Sequence, residues 1–206
     1  AEVKNKKVDV LTSRGDKYLG GRDFDKEITN LIKKKYFDIH NVEIDTENNK
    51  EYIHKAEEIK KILSVKNIAV VDINGPKGLQ KIQISREEFE ESIQTYIEKI
   101  KMLIEEAMEA SNMNPSRINQ TLLVGGNTRI PIITKALTEL MGKPPVKGVN
   151  VDEAVVCGAA IYAGLKTEKK TLSDEQQEAL KDVKLTDVCN FYMGTLALIH
   201  DRLTNR

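Results

Sequence analysis

Apolar positions recur along the chain with two periods, and the changes of period mark out its elements. Residues 3–12 alternate apolar and polar in the KVDVLT manner, which predicts one half-buried strand ended by Ser13, Arg14, Gly15 and Asp16, a run of turn composition. After Gly20 and Gly21, the helical spacing of Phe24, Ile28, Leu31, Ile32 and Tyr36 predicts a helix with Asp23 as its N-cap. A polar stretch follows. A second helix is predicted over 51–63, burying Ile53, Ala56, Ile59, Ile62 and Leu63. Residues 67–73 and 79–84 are strand-like and flank the turn residues Asn74, Gly75, Pro76, Lys77 and Gly78, so a hairpin is expected there.

Ser85 and Glu88 have capping-box spacing, and they open what the pattern predicts as one long helix running to about 113, where Asn114 and Pro115 stop it. The period then shortens. Residues 120–124 are predicted as a short buried strand, Gly125, Gly126, Asn127 and Thr128 as a tight turn, and 131–141 as a helix with Pro131 in its first turn and Gly142 at its C-cap. A last helix is expected over 152–165, where Ala159, Ala160 and Ala163 imply close packing and Gly158 implies a backbone approaching a neighbour. Residues 167–177 are polar enough for a linker or a surface helix.

Composition narrows the function classes. The chain has 206 residues, 40% hydrophobic and 31% charged, with Lys+Arg and Asp+Glu equal at 32 each. A zero formal charge argues against a nucleic-acid binder, which needs uncompensated cations facing phosphates, and 5% aromatics with no Trp offer no stacking platform. No apolar run is long enough to span a bilayer, so no membrane partner is expected. Cys157 and Cys189 lie far apart without metal-ligand spacing, which suggests a reducing, cytoplasmic setting, and the three scattered histidines are expected at surfaces or helix ends. The opening reads as entry straight into a strand, as in a piece of a longer protein.

The segment Leu122, Leu123, Val124, Gly125, Gly126, Asn127, Thr128, Arg129, Ile130, Pro131 has the ingredients of a nucleotide site. Two glycines let a ligand approach the backbone, a following helix presents unpaired N–H groups, and Arg129 can stack on a base or pair with phosphate. By physics alone a Gly-Gly turn after a strand is more often only a turn. On α-helical spacing, Glu57, Lys60, Lys61 and Ser64 share one face, which is either a ligand wall or a solvated face with internal pairing.

LVGGNTRIP resembles the LVGG-S-TRIP signature of DnaK-type heat-shock chaperones. The Gly15, Asp16 and Leu19 to Asp25 positions resemble that family's GD-x-x-LGGEDFD segment, AEEIKKILS resembles its CERAKRTLS helix, and NVDEAVVCGAA resembles NPDEAVAYGAA. The blocks stand in the family's order over about 3–165. The resemblance implies an α/β chain with the actin-like ATPase fold (ribonuclease H-like motif): its second lobe only, over 1–166, with an inserted helical and hairpin subdomain at about 22–92. Residues 167–206 then resemble the interdomain linker and a stub of the substrate-binding domain, the part beyond Cys189 matching its first strand. By the same resemblance Gly125, Gly126 and Asn127 line nucleoside and phosphate, Arg129 packs on one face of adenine, and Glu57, Lys60, Lys61 and Ser64 hold the ribose and the other face. Asp152 lies at the pocket base or caps its helix, and Gly20 and Gly21 form the hinge.

ATP or ADP is the implied cofactor, with Mg²⁺ expected only in the full-length domain. The implied partners are the first ATPase lobe, unfolded polypeptides, and a nucleotide-exchange factor or J-type co-chaperone. Other readings are a lobe of another actin-like phosphotransferase and a non-catalytic interaction module. No catalytic residue is assigned, because the family's first-lobe phosphate loop, lysine and acidic residues are not in this sequence, and the chain alone is expected not to hydrolyse ATP. Three departures mark divergence: Lys61 where the family has arginine, Asn127 for serine, and Arg22 for glutamate. Lys184 and Thr186 also interrupt the leucine run of the linker.

Overall fold

Helix α1, Gly21–His40, carries the stripe around which its neighbours assemble. The computed structural model describes residues 1–46, 49–146, 150 and 153–188. Phe24, Ile28, Ile32 and Tyr36 lie at i, i+4, i+8 and i+12 on α1, and all are buried. Helix α2, Lys50–Val65, lays Tyr52, Ala56, Ile59 and Leu63 against that stripe. Ile53, expected in the core, stands outside it. Asn49 caps α2 through its side chain, which accepts from the Glu51 amide.

Strands β3 (Ile68–Gly75) and β4 (Gly78–Ser85) form an antiparallel hairpin with Gly75 opposite Gly78, so the loop is Pro76 and Lys77. Ala69, Val71 and Ile73 alternate inward on β3, as do Ile82 and Ile84 on β4, and α1 and α2 cover that face. The hairpin tip is tied to α1 by Tyr36, whose phenol oxygen accepts from the Lys77 amide at 2.9 Å.

The expected capping box is formed. Ser85 Oγ accepts from the Glu88 amide, and Glu88 Oε2 accepts from the Ser85 amide at 2.8 Å. The helix it opens is not continuous: α3 runs Arg86–Ser92, and α4 runs Gln94–Ala110. Ser92 donates its hydroxyl to the Phe89 carbonyl, and Ile93 sits between the helices at φ −99°, ψ 5°. Phe89, Ile93 and Ile97, at i, i+4 and i+8, stay buried across the break.

Other expectations are corrected. Residues 3–12 are two strands: β1 (Glu2–Lys4) and β2 (Lys7–Asp9) fold back at Asn5 and Lys6, both at positive φ, the tight geometry that matches strand twist. Asp23 does not cap α1 from outside. Gly20 is the N-cap, and Asp23 sits three residues in, accepting from the Gly20 amide. Residues 120–124 form no strand, for no described strand lies beside them, and Leu122 and Val124 stay exposed. Helix α5, Pro131–Met141, ends at Gly142 (φ +67°) as expected. Helix α6, Ala154–Lys166, is largely exposed, so Ala159, Ala160 and Ala163 are not closely packed, and a Cβ on Gly158 would meet nothing. The close approach occurs instead at Gly164, against Leu180 of α7 (Asp174–Leu180). Beyond α7, β5 (Lys184–Thr186) pairs in parallel with β2, giving a sheet of order β1-β2-β5.

Three outcomes test this packing. A Cβ at Gly75 would collide with the Tyr36 ring, which is fully buried, so Gly75→Ala should cost about 1–3 kcal/mol in urea unfolding, as overpacking does. Ser85→Ala should cost about 1 kcal/mol by the same measurement. Burial pushes the Glu88 carboxyl up, but hydrogen bonds from Lys35 and Ser85 outweigh it and hold the group below the usual carboxylate range. Glu88 therefore contributes stability above its unfolded pKa that is lost as pH falls through its folded one, and Glu88→Gln should flatten the acid limb of the stability curve.

Candidate functional site

A cleft of about 430 Å³ opens where the C-terminal half of α2 faces the turn before α5. Its walls are Glu57, Lys60, Lys61, Ser64 and Val65 from α2 and Gly126, Asn127, Arg129 and Ile130 from the turn. Seven of the eleven residues expected at a nucleotide site thus line one space, although the two groups lie some sixty residues apart in sequence. Helical spacing explains the first group: positions i, i+3, i+4 and i+7 fall on one face of α2, beside the face that Ala56, Ile59 and Leu63 bury.

The second group depends on a backbone that only glycine adopts readily. Gly125 has φ +88° and ψ 153°, and residues Gly126–Arg129 then form a 3₁₀ turn. Thr128 closes it by donating both its amide and its hydroxyl to the Gly125 carbonyl, at 3.1 and 2.6 Å. The glycines therefore do not feed α5 directly, as the sequence suggested. A separate turn intervenes, and Pro131 starts α5 after it. Ile130 is fully buried and anchors the turn to the core, while Arg129 stands exposed at the rim.

Of the remaining expected residues, Gly21 lies behind the cleft wall. A Cβ there would come within 3.0 Å of Asn127 Nδ2 and 3.3 Å of Lys60 Nζ, so this glycine allows the start of α1 to meet both walls. Gly20 is the N-cap of α1, and Gly125 lies one residue outside the cleft lining. Asp152 lies outside the described residues. Val65 and Ile130, apolar parts of the lining, carry no signal in sequence that separates them from ordinary core positions.

The charges are arranged in pairs. Lys61 Nζ is 2.7 Å from Glu57 Oε1. The hydrogen bond from Lys61 holds the Glu57 carboxyl below the usual carboxylate range, and the same bond raises the Lys61 ammonium. Lys60 Nζ is 2.8 Å from Asp25 Oδ1 and donates to the Gly21 carbonyl at 3.2 Å, with both side chains largely buried. Ser64 donates back to the Lys60 carbonyl at 2.9 Å and lines the cleft. The volume, about 430 Å³, falls within the roughly 300–1,000 Å³ of small-molecule sites. Among the described residues no group of three or more His, Cys, Asp and Glu is placed to hold a metal ion. Among them, too, no helix is long and apolar enough to cross a membrane.

The family model for Hsp70 protein matches residues 1–203. The chain is 33% identical to a chaperone protein dnaK of Emiliania huxleyi, the match covering 100% of this chain and 33% of that protein. It is 32% identical to the dnaK of Guillardia theta over 96% of this chain and 31% of the relative, and 34% identical to that of Thalassiosira pseudonana over 100% and 34%. The chain therefore spans about a third of the length of the curated relatives it matches. The chain belongs to the Hsp70 protein family of ATP-binding heat-shock chaperones, and its mixed α/β architecture with small sheets agrees with the actin-like ATPase fold that membership implies.

Proposed function

We propose that this chain is the second lobe of a DnaK-like nucleotide-binding domain, and that the cleft between α2 and the Gly125–Arg129 turn is its half of an ATP/ADP site. One observation carries the reading: residues from two distant segments, each matching a family block, line a single cleft of nucleoside size. In it Arg129 packs on one face of adenine, and Lys61 and Ser64 contact the base and ribose from the other side. Asp152 closes the base of the site, and Gly20 and Gly21 serve as the hinge over which α1, α2 and the hairpin tilt. Residues 22–92 form the tilting subdomain, and 167–206 the linker with a stub of the substrate domain.

The parent protein then couples ATP hydrolysis to binding of unfolded polypeptides, with an exchange factor or J-type co-chaperone as partner. Its Mg²⁺ ligands, phosphate loop and catalytic groups belong to the first lobe. A cytoplasmic setting suits the free thiol of Cys157.

Titration of the chain with ADP, followed by amide chemical shifts, tests the site. Shifts should centre on Glu57–Val65 and Gly125–Ile130, and Arg129→Ala should weaken binding by about tenfold, equivalent to about 1.4 kcal/mol. Shifts scattered elsewhere, or unaffected by the substitution, would sink the assignment. The chain alone should release no phosphate from ATP above background, because phosphoryl transfer rests on positioned cations and a nucleophile that this lobe does not supply. Turnover that survives repurification would contradict the lobe-only reading.

A further inference from the structure

The subdomain proposed over 22–92 joins the rest of the lobe at two points of the chain. One is Gly20 and Gly21, where α1 begins. The other is the break between α3 and α4, where Ile93 departs from helical geometry at φ −99°, ψ 5°. Ends of elements are where a hinge absorbs changes of φ and ψ. The two crossings lie side by side, because Phe24 in the first turn of α1 meets Tyr96 in the first turn of α4 edge-on, with ring centroids 5.9 Å apart.

A hydrogen bond spans the same boundary. The Tyr96 hydroxyl donates to Glu27 Oε1 at 3.1 Å, and Asn30 donates to the other carboxylate oxygen, Oε2, at 3.2 Å. Burial, and then the bond to Glu27, push the Tyr96 phenol above its usual pKa, so it stays protonated and able to donate. One turn further along α4, Lys99 pairs with Asp16, in the segment just before Gly20. The start of α4 therefore grips the chain on both sides of the first crossing, through Asp16 before it and Glu27 after it.

We infer that the Tyr96–Glu27 hydrogen bond is a latch across this hinge: it holds the subdomain at one tilt, and its loss frees the subdomain and speeds escape of a bound nucleotide. Tyr96 and Glu27 are positioning residues, since neither lines the cleft. The effect on escape rests on the nucleotide reading of the cleft; the latch itself does not. A contact that only stabilised the fold would move the unfolding midpoint and leave the tilt unchanged. Removing the hydroxyl alone keeps the ring against Phe24, so the fold should survive while the tilt is released.

The test uses the full 206-residue chain and three variants, Tyr96→Phe, Glu27→Ala and Glu27→Gln. Residual dipolar couplings of the amides, measured without nucleotide, report the orientation of α1 and α2 relative to α4 and α5. One alignment frame should fit all four helices in the wild-type chain. In Tyr96→Phe and Glu27→Ala the couplings of α1 and α2 should shrink or demand a separate frame. Glu27→Gln keeps an oxygen for the phenol and should hold the single frame. Release of a fluorescent ADP analogue, chased with unlabelled ADP, should quicken about fivefold in the first two variants, the factor that a hydrogen bond of about 1 kcal/mol represents. A single frame retained in Tyr96→Phe and Glu27→Ala would overturn the latch, even if both unfold at lower urea. Tyr96→Phe, the milder change, decides alone if Glu27→Ala does not fold. A Glu27→Gln chain that loses the frame as far as Glu27→Ala would overturn the latch equally. A released tilt with the analogue leaving at the wild-type rate would overturn the link between latch and escape. A released tilt in a protein whose wild type binds no ADP would overturn only the nucleotide reading.

Discussion

Burial of a single stripe on α1 is the constraint to which most of the structure answers. Phe24, Ile28, Ile32 and Tyr36 span most of a 20-residue helix, and the hydrophobic term for fully burying each such side chain is about 1.5–3 kcal/mol. That rod has two working ends. At its C-terminal end the Tyr36 phenol closes on the hairpin tip, and Gly75 is tolerated there only because it has no Cβ. At its N-terminal end the burial of Phe24 carries Gly21 and Asp25 to the edge of α2, where Lys60 meets them. The same packing that holds the core thus delivers the cleft. A change that loosened α1 against α2 would reach the site without touching any residue that lines it.

What could be read in the sequence was local. Ala56, Ile59 and Leu63 of the α2 stripe, the alternation of β3 and β4, the Ser85 and Glu88 capping box, and the bounds of α5 between Pro131 and Gly142 all follow from short-range periodicity and end chemistry. What could not be read depended on a distant partner. Residues 120–124 have a strand's composition, but a strand is made by its neighbour, and no described strand lies beside this one. The break at Ile93 falls at no helix-breaking residue, so the sequence carries no signal for it. Alanines in α6 looked like a packing face and stand exposed, since small side chains permit close packing without causing it.

The site shows the same division. The spacing of Glu57, Lys60, Lys61 and Ser64 put them on one face, and the glycine pair marked a special backbone; family resemblance joined the two groups, which composition alone could not do. The direction of the Lys60 ammonium was beyond reach, because its partner Asp25 is 35 residues away on α1. Helical spacing identifies the face a residue occupies, but the fate of a flexible charged tip is settled by the nearest buried counter-charge.

That pairing changes how the cleft can recognise a ligand. Of the two cations α2 offers, one is engaged by a largely buried carboxylate and the other by Glu57 at 2.7 Å. The α2 wall is thereby close to charge-neutral, and neutral pairs project little field beyond a few ångströms in salt. Attraction of a nucleotide to this side must then come from shape, from the apolar surface of Val65, and from the Ser64 hydroxyl. A lysine at position 61 fits such a wall, since its compact, hydrated charge finds Glu57 in place of the planar stacking that a guanidinium would give a base. Glu57 and Lys61 are thus coupled in their effect: removing the carboxylate alone would leave an unpaired cation at the rim and make the cleft more phosphate-selective, not merely weaker.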